Sequence, residues 1–205
     1  MNCAVFASGG GSNFQELIYR KESGDLHIDI ALLVGNNSSA MAFERARNHS
    51  IKSLHIAPSH FQEEKTYASK LLSVLRENKV ELIALAGYMK KIPAEVLVAY
   101  PNRIVNIHPA LLPAFGGKGL YGEKVHQAVL DYGAKVTGVT IHFVDEEYDH
   151  GPIIFQDTIK VLDTDDAHTL ARRVLALEHA SYWKALEAVA SGAISIKGRR
   201  VYGLV

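Results

Sequence analysis

A chain of 205 residues suits one domain of ordinary size, burying roughly 70% of its unfolded surface, and a single domain spanning 1–205 is the expectation. Its 22 Lys+Arg balance 22 Asp+Glu to a formal charge of zero, which argues against the broad basic footprint of a nucleic-acid or anionic-membrane binder. The single cysteine, Cys3, excludes an internal disulfide, Met1–Ser8 lacks the pattern of a signal peptide, and no apolar run approaches the ~20 residues that span a bilayer, so a cytoplasmic protein is expected.

The first apolar run, Cys3–Ala7, predicts a strand that opens onto Ser8-Gly9-Gly10-Gly11-Ser12-Asn13-Phe14-Gln15. Ser12 and Gln15 have the spacing of a capping box that starts a helix over Asn13–Lys21. Unpaired N–H groups, the positive end of the helix dipole and glycines that admit close approach make such a start a seat for a small phosphorylated ligand. A tight strand-to-helix turn would use the same glycines. The loop lacks the Gly-Lys-Ser/Thr of a Walker loop and the G-x-G-x-x-G of a dinucleotide site. A second strand, Ile28–Val34, runs into Gly35-Asn36-Asn37 with no carboxylate for an adenosine ribose, which disfavours a nicotinamide cofactor.

A helix over Ala40–Asn48, a strand over Lys52–Ile56, a helix over Phe61–Asn78, a strand over Leu82–Ala86, a helix over Ala94–Tyr100 and a strand over Arg103–Asn106 follow in turn. Alternation of this kind predicts an α/β fold: a doubly wound, mainly parallel sheet with helices on both faces. Ligands of such sheets lie beyond the carboxyl ends of the strands, where the loops after Ala7, Ala86 and Asn106 would open.

The most informative stretch is Ile104-Val-Asn-Ile-His-Pro-Ala-Leu-Leu-Pro113. Residues two apart in a strand share a side, so Asn106 and His108 would present an amide donor and an imidazole to one spot, the arrangement that holds a reacting carbonyl. Directly after it, Ala114–Gly122 carries four glycines in nine residues, predicting a mobile loop near the site or a plain solvent loop. A helix over Gly122–Tyr132, strands over Gly138–Val144 and Ile153–Val161 and a long closing helix over Ala167–Ser191 complete the elements.

Between the last two strands the chain offers Asp145, Glu146, Glu147 and Asp149 before Gly151-Pro152. One of them could orient or charge His108, and an imidazolium beside an amide donor would stabilise an oxyanion in acyl transfer. His108, His126 and His142 fall in separate elements without metal-ligand spacing, so no metal is expected. Cys3 opens a strand that reads as buried and no G-x-S-x-G elbow is present, so the attacking group would come from a substrate.

Ser8-Gly-Gly-Gly-Ser-Asn13, Leu85-Ala-Gly-Tyr-Met89, Asn106-Ile-His-Pro-Ala-Leu-Leu-Pro113 and His142-Phe-Val with Asp149-His-Gly-Pro152 together resemble the phosphoribosylglycinamide formyltransferase family of the formyltransferase superfamily. The resemblance covers nearly the whole chain. It implies a Rossmann-like formyltransferase fold whose last strands are partly antiparallel. The implied reaction moves the formyl group of 10-formyltetrahydrofolate, as co-substrate, to the amine of glycinamide ribonucleotide in purine synthesis, with small-molecule partners and a monomer or homodimer. By resemblance, Asn106, His108 and Asp149 are catalytic, Gly11, Ser12 and Asn13 hold the substrate phosphate, and Glu178 binds elsewhere on the nucleotide, at the ribose. The folate would meet Met89, Lys90, Lys91, Ile92, Leu97 and Ile104, together with Asn106 and the segment Asp145, Glu146, Glu147, Tyr148, Asp149.

Departures from the family pattern are the longer glycine-rich stretch Gly116–Gly122, Glu64 followed by Lys65 where relatives often place an Arg for the folate tail, and Leu175 where some carry a basic residue near the phosphate. Rival readings are a formyltetrahydrofolate hydrolase, a formyltransferase for methionyl-tRNA or a nucleotide sugar, and a non-catalytic phosphometabolite-binding domain. The first two groups usually carry an added domain, whereas here the pattern starts at Met1 and about 50 residues follow Gly151.

Overall fold

The structure, a computed structural model, describes residues 1–203. It contains two compact units, Met1–Val105 and Asn106–Val205.

In the first unit, β1 (Asn2–Ala7), β2 (Asp29–Gly35), β3 (Ser53–His55) and β4 (Leu82–Leu85) alternate with α1 (Ser12–Glu22), α2 (Ala42–Asn48), α3 (Glu64–Glu77) and α4 (Ala94–Ala99). The strands lie in the order β3-β2-β1-β4, and every pair is parallel. Cys3 to Ala7 are wholly buried, which explains why β1 reads as a continuous apolar run: a central parallel strand is covered on both faces. On α3 the buried residues Tyr67, Ala68, Leu71, Val74 and Leu75 recur at the spacing of one helical face. The register pairs Ala7 with Gly35 and Phe6 with Leu85, so the loops after β1, β2 and β4 leave from one level. Ser8 ties them together: its N–H donates to Gly87 O (3.1 Å), its hydroxyl donates to Asn36 Oδ1 and accepts from Met89 N–H (2.8 Å).

Beyond shifts of one or two residues at the ends of several elements, two helix starts differ from the sequence expectation. Helix α3 starts at Glu64 rather than Phe61, because Pro58–His60 forms a separate 3-10 turn and Phe61 stays extended. Helix α1 has no Ser12–Gln15 capping box: its N-cap is Gly11, in the left-handed region at φ 69°, and no side chain caps it. The Gln15 amide is instead engaged by α2, as described below.

Strand β5 (Ile104–His108) begins in the first unit and delivers Asn106–His108 to the second. There follow α5 (Glu123–Tyr132), β6 (Val136–Phe143), β7 (Ile153–Lys160), α6 (Ala167–Ser191), β8 (Ser195–Lys197) and β9 (Arg200–Tyr202). Strands β6 and β7 are antiparallel, β9 joins β7 in parallel at Ile153, and β8 pairs antiparallel with β9. Parallel strands first, antiparallel pairs later and flanking helices are the fold class expected. Two glycines are required by close packing: a Cβ on Gly138 would lie 1.9 Å from Asp157 O, and one on Gly151 1.9 Å from Phe143 O. Helix α6 opens on a capping box in which Asp166 accepts from Thr169 N–H (2.7 Å) and Thr169 Oγ1 accepts from Asp166 N–H (2.8 Å), and it stops at Gly192 in the left-handed region. The β8–β9 hairpin was not anticipated, since three-residue strands carrying only Ile196 and Val201 as half-buried apolar residues leave too little pattern to read. Among the described residues no helix is long and apolar enough to cross a membrane.

Candidate active site

The polar cluster of the second unit is built on β5, β6 and the loops that follow them. Strand β5 places Asn106 and His108 two residues apart on one side, half-buried and 4% exposed respectively. Asp149 arrives from the β6–β7 loop with φ 54°, a strained conformation for a non-glycine residue and one that recurs at functional sites. Its Oδ2 lies 3.5 Å from His108 Nδ1, and its Oδ1 lies 3.4 Å from Asn106 Nδ2 and 3.7 Å from His142 Nε2. Of the four acids offered by the sequence, Asp149 is therefore the one brought to His108. Asp145 instead caps Glu147 N–H (3.0 Å) and faces His150 Nδ1 (2.7 Å), while Glu146, Glu147 and Tyr148 are exposed.

The sequence places His142 in a shared motif but gives it no role. It sits on β6, 1% exposed, with Nδ1 2.8 Å from Phe143 O and Nε2 3.1 Å from Asn106 Nδ2. A carbonyl only accepts, so Nδ1 carries the proton, and Nε2 is then a lone pair that accepts from the Asn106 amide. This fixes which end of Asn106 is nitrogen, and its second N–H donates to Asp149 Oδ1 (3.4 Å). The signal was available: Thr140 and His142 are two apart on β6, the same relation that singled out Asn106 and His108. Thr140 braces the turn after His108, its hydroxyl donating to Ala110 O (2.7 Å) and accepting from Leu112 N–H (3.0 Å) and Gln156 Nε2 (2.9 Å).

The glycine-rich loop after Pro113 joins the cluster through its backbone. Phe115 O lies 2.9 Å from His108 Nε2, and Gly117 N–H donates to Asp149 Oδ2 (2.9 Å). Phe115 has φ 54°. Gly116 is closely packed against the site: a Cβ there would lie 2.4 Å from Leu112 Cδ2 and 3.1 Å from Asp149 Cβ. The loop is thus part of the site rather than a solvent excursion.

The sequence left open whether a neighbouring acid orients or charges His108. Burial is the largest influence and lowers its pKa, outweighing the upward pull of Asp149 and of the Phe115 carbonyl; His142 adds to the lowering. The resting ring is neutral at pH 7, with its proton on Nε2 toward Phe115 O and a lone pair on Nδ1 toward Asp149. Asp149 stays ionised: burial raises its pKa, but His142, His108 and Gly117 N–H together bring it below the ordinary carboxylate value. Behind the cluster, His126 on α5 is 3% exposed, its Nδ1 has no hydrogen-bond partner, and burial first, then the neighbouring His108, lower its pKa to about 4. Among the described residues no group of three or more His, Cys, Asp or Glu is placed to hold a metal ion.

In the first unit, Gly11 and Ser12 are half-buried at the start of α1, and Asn13 is buried. Met89, Lys90 and Lys91 are exposed on the loop after β4, Ile92 is buried and Leu97 half-buried, whereas Ile104 is 1% exposed and belongs to the core. Glu178 lies half-buried in the middle of α6, in the second unit.

The chain matches the family model described as formyl transferase over residues 1–186. The chloroplastic phosphoribosylglycinamide formyltransferase of Arabidopsis thaliana is 48% identical over 188 residues, which are 91% of this chain and 64% of that protein, so the chain spans less than two thirds of that relative. The phosphoribosylglycinamide formyltransferase of Bacillus subtilis (strain 168) is 41% identical over 179 residues, 87% of this chain and 89% of the relative. The crystal structure of glycinamide ribonucleotide transformylase 1 from Symbiobacterium toebii superposes with a TM-score of 0.94 at 38% identity, covering 100% of this chain and 94% of that one.

Proposed function

Because the chain belongs to the formyl transferase family, we propose that it transfers the formyl group of 10-formyltetrahydrofolate to the amine of 5-phosphoribosylglycinamide, a step of de novo purine synthesis. The observation that carries this reading is the contiguous set Asn106, His108, His142 and Asp149, an amide donor and an imidazole beside an ionised carboxylate. A pure binding domain has no use for such a set.

In the reaction the substrate amine attacks the formyl carbon and the carbonyl oxygen becomes an oxyanion. The Asn106 N–H that rests on Asp149 Oδ1 and the His108 Nε2–H that rests on Phe115 O both donate to it once the formyl oxygen replaces those two acceptors. The attacking nitrogen sheds a proton to the Asp149–His108 pair. It comes to rest on Nδ1, where the lone pair already faces a carboxylate oxygen at 3.5 Å, and the resulting imidazolium sits between two acceptors. Collapse of the intermediate breaks the bond to the folate N10, which takes the proton back, and leaves the formylated amide. The nucleophile belongs to the substrate, so no acyl-enzyme forms.

Gly11, Ser12 and Asn13 are proposed to hold the phosphate and Glu178 the ribose. Met89, Lys90, Lys91, Ile92, Leu97 and Ile104 are proposed for the pterin, with the backbone of Asp145–Asp149 at its polar edge. Residues 1–205 act as one formyltransferase domain, in the cytoplasm, as a monomer or homodimer. The test is incubation with 10-formyltetrahydrofolate with and without 5-phosphoribosylglycinamide, following loss of the formyl donor and appearance of the formylated nucleotide. Donor loss that ignores the nucleotide would mean hydrolysis and would sink the proposal.

A further inference from the structure

We propose that Arg45 is a positioning residue of the phosphate loop: it draws the Gly10 carbonyl away so that the loop's N–H groups face the substrate phosphate, and it sets a fixed positive charge beside them. This rests on the reading of Gly11–Asn13 as the phosphate seat.

A glycine loop brings a carbonyl with every N–H, and a carbonyl repels the anion that an N–H attracts. The loop can receive phosphate only if its carbonyls are occupied elsewhere. Here all three are: Gly9 O accepts from Ala42 N–H (3.2 Å), Gly10 O from Arg45 Nε (2.8 Å) and Gly11 O from Gln15 N–H (2.9 Å). With Gly11 left-handed (φ 69°, ψ 33°) ahead of right-handed helix, successive N–H groups curl toward one point, the geometry of an anion nest. Two of the three clamps come from α2, which packs so closely that a Cβ on Gly11 would lie 2.9 Å from Ala42 Cβ.

Arg45 does more than occupy a carbonyl. Its Nη1 donates to Gln15 Oε1 (3.0 Å), and Gln15, 8% exposed, is braced in turn by His49 Nε2 (3.0 Å). The guanidinium is therefore fixed in orientation by two bonds, both to neutral acceptors. Among the described residues no carboxylate forms an ion pair with it, although Arg20 pairs with Glu16 and Asp25, and Arg173 pairs with Asp165. A half-buried cation without a counter-charge, set against the positive end of a helix, is unfavourable on its own. A dianionic phosphate relieves both at once, and among the described residues Nη2 has no acceptor.

The test measures binding of ribose 5-phosphate, with ribose as control, to the wild-type chain and to Arg45→Met and Arg45→Lys, each checked for a native unfolding transition. The Met variant is expected to bind ribose 5-phosphate about tenfold more weakly, and Lys to recover part of the loss by restoring charge without the fork. In the transfer assay the KM for phosphoribosylglycinamide rises by a similar factor, while kcat and the KM for the formyl donor stay within about twofold. Equal affinity of the Met and wild-type proteins for ribose 5-phosphate overturns the proposal, as does wild-type protein that fails to bind it. A Lys variant no better than Met, with kcat collapsing alongside KM, would assign Arg45 a structural role only and also overturns it. Wild-type protein that binds ribose 5-phosphate but transfers no formyl group counts against the proposed reaction and leaves the role of Arg45 to be judged on binding alone.

Discussion

Replacing Asp149 by Asn keeps the shape of the side chain and an oxygen for Gly117 N–H, but removes the charge that lies 3.5 Å from His108 Nδ1. Two unit charges at that distance interact by on the order of 5 kcal/mol at an effective dielectric near 20. In the wild type even this attraction is outweighed by burial, since the pKa of His108 lies below its ordinary value. With the carboxylate gone, only the Phe115 carbonyl opposes burial, so the pKa falls further. The reaction uses neutral His108 as proton acceptor, so kcat/KM declines as pH drops through that pKa. In Asp149→Asn this acid limb should move to lower pH, while the plateau falls by ~10²–10⁴ because the proton no longer rests beside a carboxylate. Both are read from kcat/KM profiles taken from about pH 4.5 to 8.5. An acid limb that stays in place or moves up, or a plateau within about tenfold of wild type, would refute the Asp149–His108 pairing as the proton acceptor.

Three further outcomes are expected. His142→Phe keeps a buried ring but removes the acceptor that orients Asn106, so kcat should fall by roughly 10–10² with native stability largely retained; an unchanged kcat would dissociate His142 from catalysis. His126 has a pKa near 4 when folded against an ordinary 6.5, so the unfolded chain binds its proton first and stability is lost as pH drops from 6.5 toward 4. His126→Leu should remove roughly 2 kcal/mol of that acid-dependent loss, visible as urea midpoints that converge less between neutral and acid pH, and a variant with wild-type pH dependence would contradict the buried, unpartnered ring. Gly138→Ala forces a methyl to within 1.9 Å of Asp157 O and should cost roughly 3 kcal/mol by splaying β6 from β7, measured by thermal unfolding.

The alternation of buried apolar runs and amphipathic helices was legible because each central parallel strand needs apolar residues on both faces, as Cys3–Ala7 shows. The side-by-side placement of Asn106 and His108 followed from strand periodicity alone. The choice among four acids did not, since it depends on a loop that turns back with Asp149 in the left-handed region. The resting protonation of His108 was not legible, because a nearby carboxylate is visible in a motif whereas burial is a property of the whole fold. Ser12 and Gln15 had capping-box spacing, yet Gln15 is bonded to Arg45 and His49 from 30 and 34 residues later in the chain, and no local pattern announces a partner so distant. The Ala114–Gly122 stretch left a mobile loop near the site or a solvent loop open by composition; the backbone bonds of Phe115 and Gly117 to His108 and Asp149 place it at the site.

Helix α2 has only seven residues, far short of the length at which a helix holds itself together in water. The two clamps it lends to the Gly9–Gly10 carbonyls therefore last only as long as Ala42 and Ala46 stay docked, both wholly buried. If that short segment detaches, the glycines ahead of α1 lose their shape without any change in their own sequence. Amide hydrogens of α2 and of the glycine turn should then exchange with solvent as one cooperative unit, at a lower opening free energy than β1, and a phosphorylated ligand should slow the exchange of both together.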